Sequence, residues 1–165
     1  MGVSKMSKLA IYPGTFDPIT YGHLDIIERT LRIFPQVIVV VAQTSRKKLL
    51  FDVDERVAMV RQATKGLRGV RVEAFSGLVV DVAKKYKTNI LIRGLRMVSD
   101  FEYEFQMALT NRRLAGNIET VFLMPSEKHS FISSTLLKEV AHLGADISTL
   151  VPKFVEKNLR AKLTL

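Results

Sequence analysis

Residues 12–23 read Tyr12-Pro13-Gly14-Thr15-Phe16-Asp17-Pro18-Ile19-Thr20-Tyr21-Gly22-His23, and the two flanks of this stretch decide the fold. On the upstream side, Leu9-Ala10-Ile11-Tyr12 is a short apolar run that reads as a buried strand broken by Pro13-Gly14. Downstream, Leu24, Ile27, Leu31 and Phe34 recur at helical spacing, with Thr20 as N-cap and His23 inside the first turn. A helix start presents free backbone N–H groups and the positive end of the helix dipole, which together favour a bound phosphate. Gly22 lets a ligand approach that backbone closely.

The same alternation continues outward. Residues 37–42 form a continuous β-branched run of the kind buried on both faces of a parallel sheet. A basic loop, residues 43–50, follows, and then Asp52 with Glu55 opens a helix carrying Val53, Val57, Val60 and Leu67. Residues 70–75 read as a third strand, and Val79, Val82, Ala83 and Tyr86 as a short helix. Residues 89–92 form a fourth strand running into Arg93-Gly94-Leu95-Arg96. Ser99 with Glu102 offers a cap for a helix whose Phe101, Phe105, Ala108 and Leu109 make a core stripe. Residues 120–124 are a fifth strand, Ser133 caps a helix through Leu136, Leu137, Val140 and Ala141, and a last helix follows Pro152.

Strands alternating with helices predict an α/β fold, a Rossmann-like doubly wound five-stranded parallel sheet with helices on both faces. In the order 3-2-1-4-5, strands one and four meet at the topological switch point, where ligands bind at the strands' carboxyl ends. The loops at 13–20, 93–99 and 125–134 converge there.

Length and composition fit this picture. The 165 residues, 47% hydrophobic and 25% charged, suit a single domain spanning 1–165, with residues 1–7 as a loose basic extension. The absence of cysteine excludes disulfides, thiolate zinc sites and a cysteine nucleophile, and is compatible with the cytoplasm. The longest apolar run, residues 37–42, falls far short of the roughly 20 residues that span a bilayer. A formal charge of +9 points to acidic partners, nucleotides among them. The P-loop, the GxGxxG fingerprint, HExxH and the serine-hydrolase elbow are all missing from the sequence.

Three groups carry chemistry. His23 at a helix start can donate a hydrogen bond as charge builds on phosphorus oxygens. Arg93 and Arg96 flank Gly94 in a switch-point loop, and guanidinium forks match phosphate oxygens bidentately. The hydroxyl-rich run from Ser130 to Thr135 offers a second helix start facing the first. Arg46, Lys47 and Lys48 lie in the loop after strand two, on the same sheet edge.

These motifs, YPGTFDPITYGH at 12–23, IRGLR at 92–96 with DFEYEFQMALTNRRL at 100–114, and FLMPSEKHSFISST at 122–135, resemble the bacterial phosphopantetheine adenylyltransferases, within the nucleotidylyltransferase superfamily. The resemblance implies adenylyl transfer from ATP to 4'-phosphopantetheine, giving dephospho-coenzyme A and pyrophosphate, with magnesium accompanying the nucleotide. It implies catalytic roles for His23, Lys47 and Arg96. ATP contacts carry over to Thr15, Phe16, His23, Gly94, Leu95, Arg96, Glu104, His129, Ser130, Phe131, Ile132, Ser133, Ser134 and Thr135. Phosphopantetheine contacts carry over to Thr15, Lys47, Val79 and Arg93. The family commonly has Trp or Tyr where this chain has His129. It also implies a homohexamer inhibited by coenzyme A, with no nucleic acid or membrane partner. The alternatives are a related nucleotidylyltransferase acting on another phosphorylated acceptor, such as nicotinamide mononucleotide, and more remotely a basic nucleic-acid-binding module.

Overall fold

The computed structural model describes residues 8–43, 48–131 and 133–163, without the side chain of Ser99. The expected extension at 1–7, Arg46, Lys47 and Ile132 lie outside the described residues. Five parallel strands, β1 (Leu9–Gly14), β2 (Gln36–Ala42), β3 (Val70–Phe75), β4 (Ile90–Gly94) and β5 (Glu119–Leu123), lie in the order β3-β2-β1-β4-β5. Between and after them come α1 (Tyr21–Ile33), α2 (Val53–Thr64), α3 (Val79–Lys85), α4 (Val98–Leu114), α5 (Ser134–His142) and α6 (Lys153–Leu163).

The two-residue period of a strand sorts the core onto two faces. Ala10, Tyr12, Val37, Val39 and Val41 pack with Ile26, Ile27, Val57, Val60, Leu137, Val155 and Leu159, which come from α1, α2, α5 and α6. Ile11, Ile38 and Val40 turn the other way, onto Val80 and Ala83 of α3 and onto Ala115 and Ile118 just past α4. Helices therefore cover both faces, as the pattern predicted. No helix among the described residues is long and apolar enough to cross a membrane.

Three local expectations are corrected. Pro13 and Gly14 do not break β1, which continues alongside β2 with Pro13 opposite Val40 and Gly14 opposite Val41. A proline is tolerated there because pairing with β4 is confined to Ile11 opposite Leu91, leaving the far side of β1 open at its carboxyl end. Ser99 is not a cap: α4 begins at Val98 after Met97, which caps without a side-chain bond. Phe101 and Phe105, each 47% exposed, do not line a core stripe. Their rings stack on one another, 5.7 Å apart, on the outside of α4. Helix spacing reports which residues share a face but not whether that face is covered within the chain.

Candidate active site

The loop from β1 to α1 folds back on itself before the helix starts. Phe16 sits at φ 51 with its ring buried, edge-on to Tyr12 at 5.5 Å and to His23 at 5.0 Å. That packing requires glycine at 14, where an added Cβ would lie 2.8 Å from the Phe16 ring. Thr20 then caps α1 reciprocally: its hydroxyl accepts the His23 N–H at 3.4 Å, and its own N–H donates to His23 Nδ1 at 3.1 Å. In this capping box the third helical residue is a histidine where glutamate or glutamine is usual.

The box fixes the chemistry of the ring. Nδ1 is an acceptor, so in the neutral imidazole the proton sits on Nε2. Burial, aided by the charges of Arg96 and Arg93, pushes the His23 pKa down to about 3. His23 is thus an uncharged N–H donor at neutral pH, held in one tautomer by the backbone.

Across the open seam, Arg93 at the end of β4 forms a fork on the Glu104 carboxylate, with Nε on Oε2 at 2.6 Å and Nη2 on Oε1. Its Nη1 donates to the Pro13 carbonyl at 2.8 Å, tying β4 to β1 where their ladder has ended. Burial opposes the Arg93 charge, but the bonds and charge of Glu104 outweigh it and raise its pKa. Arg96 pairs with Asp100 at 3.2 Å in the first turn of α4. Burial raises the Tyr12 hydroxyl to about 12 despite these arginines, so it stays protonated.

The third wall follows β5. Asp25 of α1 accepts the Ser126 N–H at 2.7 Å and pairs with Arg29, which anchors the start of this loop. Ser133 caps α5 by accepting the Leu136 N–H at 3.0 Å, and the Ser134 hydroxyl donates to the Pro18 carbonyl at 2.9 Å.

These walls enclose a cavity of about 550 Å³ lined by Thr15, Phe16, His23, Arg93, Gly94, Arg96, Glu104, Ser133, Ser134 and Thr135 from the predicted set. Lys48 lines it too, beside the undescribed Lys47. Leu95, His129, Ser130, Phe131 and Val79 are not part of that lining. The Leu95 N–H donates to Leu123, and the Ser130 hydroxyl donates to the Glu127 carbonyl. His129 stacks on Tyr21 at 5.9 Å and keeps a buried Nδ1 without a hydrogen-bond partner. Phe131 is exposed, while Val79 packs against the α3 face of the core. The sequence reading missed Tyr12, Asp17, Lys138 and Glu139, which also line the cavity. The one signal available for the last two was their place one turn beyond the Ser133 cap.

Residues 11–140 match the cytidylyltransferase-like family. The phosphopantetheine adenylyltransferase of Thermodesulfovibrio yellowstonii is 55% identical over 95% of this chain and 98% of its own length. The chain belongs to the phosphopantetheine adenylyltransferase family. It is accordingly a nucleotidyltransferase, and the match takes in all three walls of the cavity. Two solved structures share the fold. One, from Vibrio parahaemolyticus and provisionally named a nicotinate-nucleotide adenylyltransferase, superposes with a TM-score of 0.70 at 22% identity, covering 96% of this chain and 95% of that one. The other, a lipopolysaccharide core biosynthesis protein from Thermoplasma volcanium, gives 0.51 at 21% identity, covering 72% and 95%.

Proposed function

We propose that this chain transfers the adenylyl group of ATP to 4'-phosphopantetheine, releasing pyrophosphate and forming dephospho-coenzyme A, the penultimate step of coenzyme A synthesis. The observation that carries this reading is one cavity in which a neutral imidazole donor, two arginines and two helix starts converge, in a chain 55% identical to a named relative. A phosphate oxygen of the acceptor attacks the α-phosphorus of ATP. The bond from that phosphorus to the bridging oxygen of the β-phosphate breaks, and its electron pair leaves with pyrophosphate. The acceptor phosphate is already ionised at neutral pH, so neither a strong base nor an enzyme nucleophile is needed. Alignment of two bound substrates can supply about 7–11 kcal/mol of the barrier.

In this reading His23 Nε2–H meets the α-phosphate oxygens as charge gathers on them. Arg96 and the first turn of α5 hold the nucleotide's phosphates. Thr15, Lys47 and Arg93 hold the acceptor, with Arg93 braced by Glu104, while Val79, outside the cavity lining, is carried over from the family resemblance alone. The remaining ATP positions, from Phe16 to the segment 129–135, follow the family resemblance.

Magnesium fits as an ion borne by the substrate. Asp17, Asp100 and Glu104 are each paired with a protein cation. Among the described residues no group of three His, Asp or Glu is placed to hold a metal. Magnesium would arrive on the ATP phosphates, and what it would supply there is neutralisation of their charge.

Assembly and location belong to the same proposal. The exposed Val98, Phe101, Tyr103, Phe105, Leu109 and Leu114 of α4 give copies of this chain an apolar surface to share in a homohexamer. Coenzyme A, as a relative of the product, is the expected inhibitor, and the cytoplasm the expected compartment.

The deciding experiment is pyrophosphate release from ATP with 4'-phosphopantetheine or nicotinamide mononucleotide as acceptor. Turnover with the first is expected. Turnover with the second alone would overturn the assignment.

A further inference from the structure

Asp17 and Arg56 are buried charged side chains that the chemistry above does not use, 3% and 1% exposed respectively. Asp17, in the β1–α1 loop, accepts the Leu50 N–H at 3.0 Å and the Phe51 N–H at 2.9 Å, and takes Lys138 Nζ of α5 at 2.5 Å. Arg56, on α2, donates through Nε to the carbonyls of Phe51 and Asp52 at 3.1 and 3.2 Å. Its Nη1 donates to the carbonyls of Thr15 and Ala42, each at 2.7 Å. None of the ion pairs among the described residues includes Arg56. Its donors go to backbone carbonyls of three separate segments, and the nearby charges of Asp17 and Asp52 support its own.

The two side chains work in opposite senses on the same pair of loops. Asp17 reaches from the first loop to amides of the second, and Arg56 reaches from beneath the second to a carbonyl of the first. Thr15, Asp17, Lys48 and Leu49 line the stretch of cavity between them. Carboxylate-to-amide and guanidinium-to-carbonyl bonds are charge-assisted, so the gap is set before a ligand arrives. A loop ordered in advance spares binding the entropy of ordering it.

We propose that Asp17 and Arg56 are positioning residues that preset the spacing between the β1–α1 loop and residues 48–51 ahead of α2 and so govern affinity for the acceptor's phosphate, acting through Thr15 and Lys48. This rests on the reading that these loops hold the acceptor. Asp17→Asn puts an amide NH2 against a backbone N–H and removes the charge facing Lys138. Arg56→Lys replaces a rigid fork with a single ammonium that cannot span the same four carbonyls.

The test is steady-state kinetics on both variants, varying each substrate in turn, beside thermal unfolding. The acceptor KM is expected to rise at least about tenfold in both variants, and in Arg56→Lys, which leaves the Asp17–Lys138 pair intact, the ATP KM and kcat should stay within about threefold of wild type. A folded variant whose acceptor KM is unmoved, or an Arg56→Lys protein whose ATP KM rises as far as its acceptor KM, overturns the proposal. Hydrogen exchange on the unmodified protein covers the case in which neither variant folds. Slow exchange at the Leu50 and Phe51 amides is expected, and exchange at the rate of an open loop overturns the brace outright. Failure of the wild type to use 4'-phosphopantetheine would defeat the functional reading instead, and the exchange result would still report on the brace.

Discussion

The two helix starts that line the cavity are built differently. At α1 the bonds are reciprocal: Thr20 caps His23 and His23 caps Thr20, while the Tyr21 N–H donates to the Leu150 carbonyl at 3.0 Å. At α5 the bond runs one way, because the third helical residue is Leu136 and returns nothing to Ser133. Helix α5 instead hangs from the α1 loop through Ser134 and Pro18, and from Asp17 through Lys138. The wall bearing the candidate donor sets its own geometry. The opposite wall borrows its position.

The largest test of this contrast separates the cap from the imidazole. His23→Gln keeps a residue able to close the capping box but removes the ring. Turnover should fall at least about a hundredfold, the scale of one preorganised donor, with melting temperature nearly unchanged. Full turnover would strip His23 of its chemical role. Titration comes next. His23 has a pKa of about 3 in the folded protein against 6.5 as its ordinary value, so between those pH values the unfolded chain binds the extra proton. Its contribution makes stability rise with pH across that window, and acid erodes it from about 6.5 downward. Denaturant unfolding of wild type and His23→Gln should show a shallower pH dependence in the variant. Equal slopes would mean that the ring titrates normally.

Smaller effects belong to the opposite wall. Ser133→Ala should cost about 1 kcal/mol of stability and raise the ATP KM more than it lowers kcat. Ser134→Ala, removing one bond to Pro18, should cost no more than about 1 kcal/mol, as read by thermal unfolding. If instead Ser133→Ala matched His23→Gln in lost turnover, the two walls would not differ as described.

Local signals explain why both starts were legible in the sequence. Thr20 and Ser133 are hydroxyls immediately before periodic apolar runs, and Asp52 with Glu55 forms the expected box, with bonds of 2.8 and 3.0 Å. Strand order was legible too, because β-branched runs alternating with amphipathic ones leave few topologies open. Contacts between remote residues were not. Asp17 meets Leu50, Phe51 and Lys138, and Arg56 meets Thr15, through bonds that no periodicity announces. Arg93 read as a free phosphate ligand, yet it shares its fork with Glu104, eleven residues on. The α4 stripe was the opposite case, a true pattern whose partner lies outside the chain in the proposed assembly.

The sheet's central seam has a consequence of its own. β1 is laced to β2 along its whole length but meets β4 through Ile11 and Leu91 alone, with Arg93 bridging the end. The five strands form one sheet whose central join is a short weld, stitched at one end by the Thr88 hydroxyl on the Leu9 carbonyl and at the other by Arg93. A nucleotide lying across that weld, touching α1 on one side and Arg96 on the other, would finish the join that the backbone leaves open. The substrate then serves for a moment as part of the architecture, and each turnover releases a suture as well as a product.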